Sequence, residues 1–203
     1  MKILDLFSGS QSLKQPSLDL GHEYFSVDID ASSNPDMIVD IKTLEWNSIP
    51  FSPDIIWASP PCTCFSVSSI GKHWNKDHTP KTQRAIEAKE IVKNTLFIIE
   101  QMNPKYYFME NPRGKLRKLD IVQDIPIRYT VTYCQYGDKR MKPTDIWTNC
   151  DKWIPRPMCN YGDPCHISAP RGSQTGTQGM AKNDKWKVPY ELLYEILVAS
   201  EIK

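Results

Sequence analysis

The sequence predicts an α/β protein in which a mostly parallel sheet is covered by helices on both faces. Six short β-type runs between residues 2 and 137 are nearly continuous in apolar residues, as is typical of strands buried on both faces. A helix-type stretch, Lys81–Met102, separates the fourth run from the fifth, and a second one closes the chain. Strands interrupted by helices in this way favour a doubly wound sheet.

The composition is that of one ordinary domain. The 203 residues carry a net charge of +1, with 40% hydrophobic and 24% charged residues. No apolar run is long enough to cross a bilayer, and the first ten residues, MKILDLFSGS, do not form a signal peptide. We therefore expect a monomeric cytoplasmic protein without a membrane partner. For a viral protein this means the host cytoplasm or an association with the nucleoid.

The strand candidates end in residues that suit a ligand site. In chain order the runs are KILDLF, YFSVDID, MIVDI, DIIWA, YYFMEN and YTVTYCQYG. The first run is followed by SGS, and the second ends in acidic residues. The fourth leads into SPPC, and the fifth ends in EN and is followed by a proline. Because ligands of open α/β sheets bind beyond the carboxyl ends of the strands, we expect these residues to meet at one edge.

The helices have recognisable starts. Thr79 is the expected N-cap of Lys81–Met102, with Pro80 at its first position, and Pro189 opens the last helix. The stripe of the longer helix that faces the core is predicted to consist of Ile86, Val92, Leu96 and Ile99.

Cys62 follows two prolines directly after the fourth run. The prolines stiffen the backbone, and a rigid, exposed turn suits a thiol that attacks in a fixed direction. The thiolate is the reactive form. A single cysteine is more often a small buried hydrophobic residue, but the prolines and the strand end favour a nucleophile here.

Glu110 ends the fifth run, where burying an unpaired carboxylate would be costly. If it lies in the same cleft, burial would raise its pKa and make it a protonated donor. The alternative is an exposed acid paired with Arg113.

The first two runs indicate a cofactor. FSGS holds one glycine and no GxGxxG, and acidic residues follow the second run, which favours a nucleoside cofactor without a pyrophosphate, such as S-adenosylmethionine. A glycine turn without a ligand is the alternative.

The ordered set DLFSGS, VDID, VDI, SPPCTCFS and MENP resembles the DNA (cytosine-5) methyltransferase family. The resemblance runs from Lys2 to about Gly137 and implies a small, phage-type member with a Rossmann-like fold. It implies a cofactor-binding and catalytic domain over residues 1–149 and a reduced, loop-rich DNA-recognition segment over 150–184. Residues 185–203 would form a C-terminal helix packed back on the catalytic domain.

The implied reaction moves a methyl group from S-adenosylmethionine to carbon 5 of a cytosine flipped out of double-stranded DNA. Cys62 would add to carbon 6, and Glu110 would bond N3 and the amino group of the ring. The family's Gln and two Arg after Tyr-Gly are replaced by a different arrangement, so Arg140 and Lys142 are both candidates for the contact with the cytosine carbonyl.

The resemblance also implies the cofactor contacts. Phe7 and Ile29 would pack on the adenine, and Asp28 would take the ribose hydroxyls. Asp40 and Ile41 would address the adenine edge. The full implied set is Phe7, Ser8, Gly9, Asp28, Ile29, Asp40, Ile41 and Pro61. One departure weakens it, because Trp186 and Lys187 stand where the family has Gly-Asn before Val-Pro.

Contacts with DNA are expected from local polar and basic residues, since the net charge is near zero. The candidates are Ser66, Lys72, Arg113, Arg156 and Arg171. In the loop after Cys62, Gly71 is a candidate hinge, and four residues are candidates to reach phosphate or fill the vacated stack: Lys72, His73, Trp74 and Lys76. RGSQTGTQG, residues 171–179, is a candidate for close DNA contact. Solvated loops without a role are the alternative for both segments.

Four residues of the loop-rich segment form a possible zinc set: Cys150, Cys159, Cys165 and His166. A segment without a core of its own would gain most from a structural metal. No CxxC pair is present, and adjacent Cys165 and His166 seldom bind one ion, so Cys134 is an alternative to His166. Free thiols are the competing interpretation.

Two other functions compete with DNA methylation. The same thiol chemistry would serve a cytosine methyltransferase that acts on RNA or on a free nucleotide. A non-catalytic cofactor-binding subunit with a partner that recognises DNA is the second alternative, although such a subunit would need neither Cys62 nor Glu110.

Overall fold

A computed structural model describes residues 1–167 and 180–202 of the chain. Seven strands form one sheet in the order β3-β2-β1-β4-β5-β7-β6. The strands are β1 (Lys2–Leu6), β2 (Glu23–Asp28), β3 (Met37–Ile38), β4 (Ile55–Ala58), β5 (Tyr106–Pro112), β6 (Ile127–Thr132) and β7 (Pro143–Thr148). The helices are α1 (Lys14–Asp19), α2 (Ile70–His73), α3 (Gln83–Met102), α4 (Lys182–Trp186) and α5 (Tyr190–Glu201).

Two hydrophobic layers cover the sheet. Successive side chains of a strand point to opposite faces, so Leu4 packs in the layer under α3, while its neighbour Ile3 packs in the layer under α5. Ile56 and Ile55 of β4 divide in the same way. The predicted mostly parallel sheet with helices on both faces is therefore confirmed.

One strand of the sheet was not expected from the sequence. β7 runs antiparallel to both of its neighbours, β5 and β6. It begins with a proline and contains Asp145, which is fully buried. Arg117 donates from Nε to that carboxylate over 2.8 Å, and Thr130 donates its hydroxyl over 2.8 Å. The sixth predicted run is too long, because β6 ends at Thr132 and a 3-10 turn follows.

The predicted start of α3 is wrong by three residues. The helix begins at Gln83, and the hydroxyl of Thr82 accepts a hydrogen bond from the Ala85 amide. The Thr79 hydroxyl is already used within the preceding turn, where it donates to Asp77 over 2.7 Å. Pro80 lies in an isolated bridge before the helix.

The buried face of α3 also differs from the prediction. Ile86 is 43% exposed, whereas the prediction placed it in the core. Residues spaced three and four apart make the buried face: Ala85, Ala88, Val92, Thr95, Ile98 and Ile99. α5 follows Pro189 as predicted, and it buries Leu192, Leu193, Ile196 and Leu197.

No helix among residues 1–167 and 180–202 combines the length and the apolar character needed to cross a membrane.

A buried carboxyl group gives a test of the β1–β2 packing. Asp5 accepts a hydrogen bond from the Tyr24 hydroxyl over 2.7 Å, and burial raises the pKa of Asp5 to about 7. In the unfolded chain the group ionises near its ordinary pKa of about 4. The protonated Asp5 carboxyl therefore contributes fully to the stability of the fold below about pH 4, and this contribution is lost as the pH rises to about 7.

We predict that Asp5→Asn, which stays neutral, gains stability relative to the native chain between about pH 4 and pH 7, by on the order of 4 kcal/mol. Urea unfolding of both proteins across this range measures the difference. Asp124→Asn, at an exposed position, controls for the loss of one carboxylate. A difference between Asp5→Asn and the native chain that does not change with pH would contradict the prediction.

Candidate active site

The ends of β4 and β5 bring the two central candidates to one edge of the sheet. Ala58 pairs with Met109 in the parallel register. Glu110 is therefore one residue beyond the last pair, and Cys62 follows in the turn after β4. Lys142, at the residue before β7, reaches the same place, since its Nζ lies 4.0 Å from Oε1 of Glu110.

The Cys62 turn is built by backbone hydrogen bonds. The amides of Phe65 and Ser66 donate to the Cys62 carbonyl over 2.9 and 3.0 Å, and the Ser66 hydroxyl donates to it over 3.0 Å. The side-chain amide of Asn111 donates to the Pro60 carbonyl over 2.8 Å. The proline turn is thus joined directly to the end of β5, and the half-buried thiol has a fixed position.

Gly114 allows a second close contact between the two segments. A Cβ atom at this position would lie 2.2 Å from the Phe65 carbonyl oxygen, which is too close for any side chain. The next residue, Lys115, donates its amide to that same oxygen over 2.8 Å. Sequence reasoning identified neither Asn111 nor Gly114, although both lie within five residues of Glu110.

Glu110 is buried with partners. It accepts a hydrogen bond from the Tyr133 hydroxyl over 2.8 Å, and Lys142 Nζ lies 4.5 Å from the centre of the Tyr133 ring. Burial and the neighbouring Glu110 carboxylate raise the pKa of Tyr133 well above its usual value, so the phenol remains a donor. Of the two predicted environments, the exposed pair with Arg113 is wrong, because Glu110 is only 6% exposed and the cation within 4.0 Å of it is Lys142.

The charges around Cys62 oppose one another. Burial raises the pKa of the Cys62 thiol, the Glu110 carboxylate raises it further, and the Lys142 ammonium lowers it. Burial lowers the pKa of Lys142, while Glu110 acts in the opposite direction. Lys142 is therefore the cation that favours the reactive thiolate.

Arg140 has a different environment from Lys142. Its guanidinium pairs with the Asp138 carboxylate and donates to the carbonyl oxygens of Asp184 (2.8 Å) and Lys187 (3.1 Å). These bonds join the turn before β7 to the segment before α5. The structure thus places Lys142, and not Arg140, beside Glu110.

The loop after β1 has the features of a ligand cradle. Phe7 and Gly9 have positive φ angles of 62° and 43°, and such strain in a residue other than glycine is frequent at binding sites. The Gly9 amide donates to the Asp28 carboxylate over 2.8 Å. The buried hydroxyl of Ser8 has no hydrogen-bond partner among the described residues. An unsatisfied buried hydroxyl here suits a polar ligand.

Apolar side chains stand open beside this loop. Ile29 is 64% exposed and Ile38 is 60% exposed, at the ends of β2 and β3. Pro61 is exposed as well. The Asp40 carboxylate accepts from the Lys42 amide over 2.9 Å, and the Ile41 side chain packs in the core. Only the backbone of Ile41 is therefore available to a ligand. Ile38 was not predicted as a site residue, although the short apolar run MIVDI that contains it could have identified it.

The predicted DNA contacts fall into separate places. Lys72 is exposed, and half-buried Arg113 lines a groove of about 380 Å³ with Lys115 and Lys118. Ser66 supports the Cys62 turn, as described above.

Arg156 is engaged elsewhere: its guanidinium pairs with Glu191 and Glu195 of α5. Arg171 and the RGSQTGTQG stretch lie outside the described residues.

Two aromatic residues of the loop after Cys62 are buried, contrary to the expectation that they fill a vacated base stack. The Trp74 ring stacks on Phe65 with centroids 5.8 Å apart, and its indole nitrogen donates to the Cys64 carbonyl over 2.8 Å. His73 lies 2.8 Å from the Thr82 hydroxyl. His73 thus anchors the loop to the N-cap of α3, and Trp74 anchors it to the turn that follows Cys62.

The cysteine cluster differs from the predicted set by one residue. Ligand atoms of Cys134, Cys159, Cys165 and His166 lie within 4.8 Å of one another. Cys150 is wrong as a member, because it is fully buried in the hydrophobic layer under α5. Cys134 thus takes the place of Cys150, not of His166, since the chain folds β6 against the loop and carries Cys134 to it.

Two solved structures share this fold. One is assigned as a DNA modification methyltransferase encoded within an E. coli prophage. The TM-score is 0.54 and the sequences are 16% identical, and the match covers 83% of this chain and 57% of that chain. The other is a triple mutant of DNMT2 from Spodoptera frugiperda. The TM-score is 0.51 and the sequences are 22% identical, and the match covers 80% of this chain and 57% of that chain. The chain thus spans 57% of each solved protein. The fold is that of the Rossmann-like methyltransferases, as predicted.

Residues 1–122 match the family of C-5 cytosine-specific DNA methylases. A protein of Frog virus 3 named "Probable DNA (cytosine-5)-methyltransferase" is 28% identical over 220 residues, covering 97% of this chain and 99% of that protein. The chain belongs to the C-5 cytosine-specific DNA methylase family. The predicted enzyme class, a DNA (cytosine-5)-methyltransferase, is confirmed, and membership implies S-adenosylmethionine as methyl donor.

We predict that Gly114→Ala lowers the free energy of unfolding by about 1–3 kcal/mol, because its Cβ would force the Phe65 carbonyl away. Urea unfolding measures the loss. Gly71→Ala is the matched control: it lies in α2, where a Cβ has nothing within 4 Å, so it should be neutral or slightly stabilising. Equal effects of the two substitutions would contradict the close contact.

A second prediction concerns the Cys62 thiol. Because the Lys142 ammonium lowers the pKa of Cys62, Lys142→Gln should raise that pKa and move the alkaline rise in alkylation to higher pH. Iodoacetamide labelling of the Cys62 peptide, followed by mass spectrometry against pH, measures the shift. Lys139→Gln removes the same charge from an exposed position of the same turn. An unchanged or lower midpoint in Lys142→Gln would contradict this environment.

Proposed function

We propose that this chain itself transfers a methyl group from S-adenosylmethionine to carbon 5 of cytosine in double-stranded DNA. The observation that carries the proposal is the position of the Cys62 turn against buried Glu110, Lys142 and Tyr133, beside the cradle after β1. A thiol nucleophile, a carboxylate and a cation at the end of a methyltransferase sheet are the groups that this reaction needs.

The cradle fits the proposed cofactor. Exposed Ile29 and Ile38 offer apolar surface for the adenine, together with Phe7. Each Asp28 oxygen accepts one backbone amide, from Gly9 or Asp30, and a carboxylate oxygen can accept a second bond from a ribose hydroxyl.

Four further residues are proposed to contact the cofactor. Ser8 has an unsatisfied hydroxyl, the Ile41 backbone and the Asp40 carboxylate can address the adenine edge, and Pro61 borders the cleft. S-adenosylmethionine, when bound, supplies an electrophilic methyl group on a sulfonium.

In the first step the Cys62 thiolate adds to carbon 6 of the extruded cytosine. The addition places negative charge on the ring. Glu110 in its protonated form would donate its proton to N3 and accept a hydrogen bond from the amino group, which neutralises that charge. Tyr133 holds Glu110 in position through its 2.8 Å hydrogen bond. Lys142 favours the thiolate and is the nearest candidate for the cytosine carbonyl.

The covalent adduct makes carbon 5 nucleophilic enough to accept the methyl group. A water molecule then takes the proton from carbon 5, the electrons of that C–H bond form the double bond between carbons 5 and 6, and the bond between carbon 6 and sulfur breaks, which releases the Cys62 thiolate. N3 returns its proton to Glu110. Covalent catalysis thus divides one difficult substitution into two easier steps. In the proposal Arg140 is a positioning residue, because its bonds hold the turn that carries Lys142.

The DNA would lie across the face that carries Cys62. Exposed Lys72 and the groove with Arg113 and Lys118 would contact phosphates beside the loop after Cys62. Such contacts offset the few kcal/mol needed to extrude a base. Arg156 is not part of this surface, since α5 carboxylates neutralise it.

The proposal keeps the predicted division of the chain: catalytic residues 1–149, a short recognition segment over 150–184 and a C-terminal helix over 185–203. A monomer in the cytoplasm, or with the nucleoid of a host, is proposed with it; the viral relative supports a viral setting. Because the thiol and the sulfonium provide the reactivity, a zinc ion at the cysteine cluster would be structural.

The test is methyl transfer by the purified chain to duplex DNA, to transfer RNA and to dCMP, with bisulfite sequencing of the DNA product. We expect transfer to duplex DNA, and covalent trapping by duplex that contains 5-fluorocytosine. Cys62→Ser should abolish both, and Glu110→Gln should slow transfer roughly 100-fold or more. Cys64→Ser, two residues away, is the matched control and should keep both.

Three outcomes would overturn the proposal. Transfer to RNA or dCMP in place of DNA would favour the related chemistry on another substrate. Full activity of Cys62→Ser would remove the thiol mechanism. Cofactor binding with no transfer to any substrate, in a folded protein, would favour a subunit whose partner completes the enzyme.

A further inference from the structure

A cluster of three thiols and one imidazole lies outside the catalytic cleft. Cys134 belongs to the turn after β6, and the other three, Cys159, Cys165 and His166, belong to the loop that follows β7. We propose that these four residues bind one structural zinc ion, which fastens the loop to the sheet edge behind Lys142. The proposal does not depend on the methyl-transfer reaction.

The distances between the ligand atoms suit tetrahedral coordination. With Zn–S bonds of about 2.3 Å and Zn–N bonds of about 2.0–2.1 Å, a tetrahedron separates two sulfurs by about 3.8 Å and a sulfur and a nitrogen by about 3.6 Å. Sγ of Cys165 lies 3.6 Å from Sγ of Cys134 and 3.6 Å from Nδ1 of His166. Sγ of Cys159 lies 3.7 Å from the same Nδ1. These three distances are therefore close to the tetrahedral values, and all four ligand atoms lie within 4.8 Å of one another.

Two of the sulfurs are closer together than a tetrahedral site allows. The sulfurs of Cys134 and Cys159 are 3.1 Å apart, so they would separate by about 0.7 Å around a zinc ion. A disulfide would need them at about 2.05 Å. Coordination through Nδ1 of His166 leaves the ring proton on Nε2. The Gly162 amide, which now donates to Nε2 over 3.4 Å, would then face another donor. The ring would therefore exchange this contact for a hydrogen bond that Nε2 donates.

The donor set selects the class of metal. Three thiolates and one imidazole form a closed tetrahedral site that suits zinc, without an open position for a substrate. The thiols lose their protons on binding, so the ion would replace S–H contacts by metal–ligand bonds.

The part of the loop near the cluster makes few apolar contacts, whereas its beginning is held by buried Trp153 and by the ion pairs of Arg156 with α5. Around the cluster the small hydrophobic group consists of Cys134, Met141 and Cys159, with Cys165 at its margin. Ile154 and Ile167 are 85% and 66% exposed. A segment with so few apolar contacts gains most from a metal that joins distant parts of the chain.

The site lies directly behind the turn that carries the catalytic cation. The Tyr133 amide donates to the Met141 carbonyl over 2.8 Å, and the Ile167 amide donates to the Lys139 carbonyl over 2.9 Å. Met141 packs on the ligand sulfurs and immediately precedes Lys142. An ion at this place would therefore hold the 139–142 turn from the side opposite to Glu110.

The experiment measures zinc in the full-length protein purified without chelator. Elemental analysis should find about one zinc ion per chain, and Co²⁺ in its place should give the intense visible absorption of a tetrahedral thiolate site. Cys159→Ser should lose the zinc and that absorption. Cys150→Ala removes a buried cysteine outside the cluster and should keep both, which separates this ligand set from one that includes Cys150.

Because Cys159→Ser could fail to fold, reversible chelation of the native chain is the second measurement. Removal of zinc should lower the melting temperature and speed proteolysis between residues 150 and 167, and added zinc should restore both. Folded native protein without zinc, a disulfide between Cys134 and Cys159 found by mass spectrometry under reducing purification, or zinc lost from Cys150→Ala but kept by Cys159→Ser would overturn the proposal.

Discussion

The active site depends on how closely the chain after β4 packs against the chain after β5. The Asn111 side chain bonds the Pro60 carbonyl, and Gly114 leaves just enough room for the Phe65 carbonyl. These contacts position the Cys62 turn relative to Glu110 without the thiol or the carboxylate taking part. Reactive groups that are positioned through the neighbouring backbone keep their own atoms available for bonds to substrate. A preorganised site is supported in this way.

The same packing produces an electrostatic conflict at the thiol. Burial and Glu110 raise the pKa of the Cys62 thiol, and Lys142 lowers it. In the proposed reaction, a bound base that takes the Glu110 and Lys142 contacts would change this balance only when it is in place.

Two arginines that the sequence offers as functional cations serve as structural ties. Arg140 binds backbone carbonyls before α5, and Arg156 binds carboxylates of α5. Together they hold the C-terminal part of the chain against the sheet edge that carries Lys142. The proposed zinc ion would act on the same edge, where the loop around the cysteine cluster has few apolar contacts.

The sequence by itself determined the sheet type and the family, and it predicted Cys62 and Glu110 as the reactive pair, because apolar strand runs and strand-end motifs are local signals. It missed β7, since a buried Asp145 is stable only when Arg117, distant in sequence, pairs with it. It misplaced the start of α3 because Thr79 and Thr82 both suit an N-cap. Which cation faces Glu110, and which four residues form the cysteine cluster, were decided by tertiary structure alone, because those distances arise only when segments far apart in the chain fold against each other.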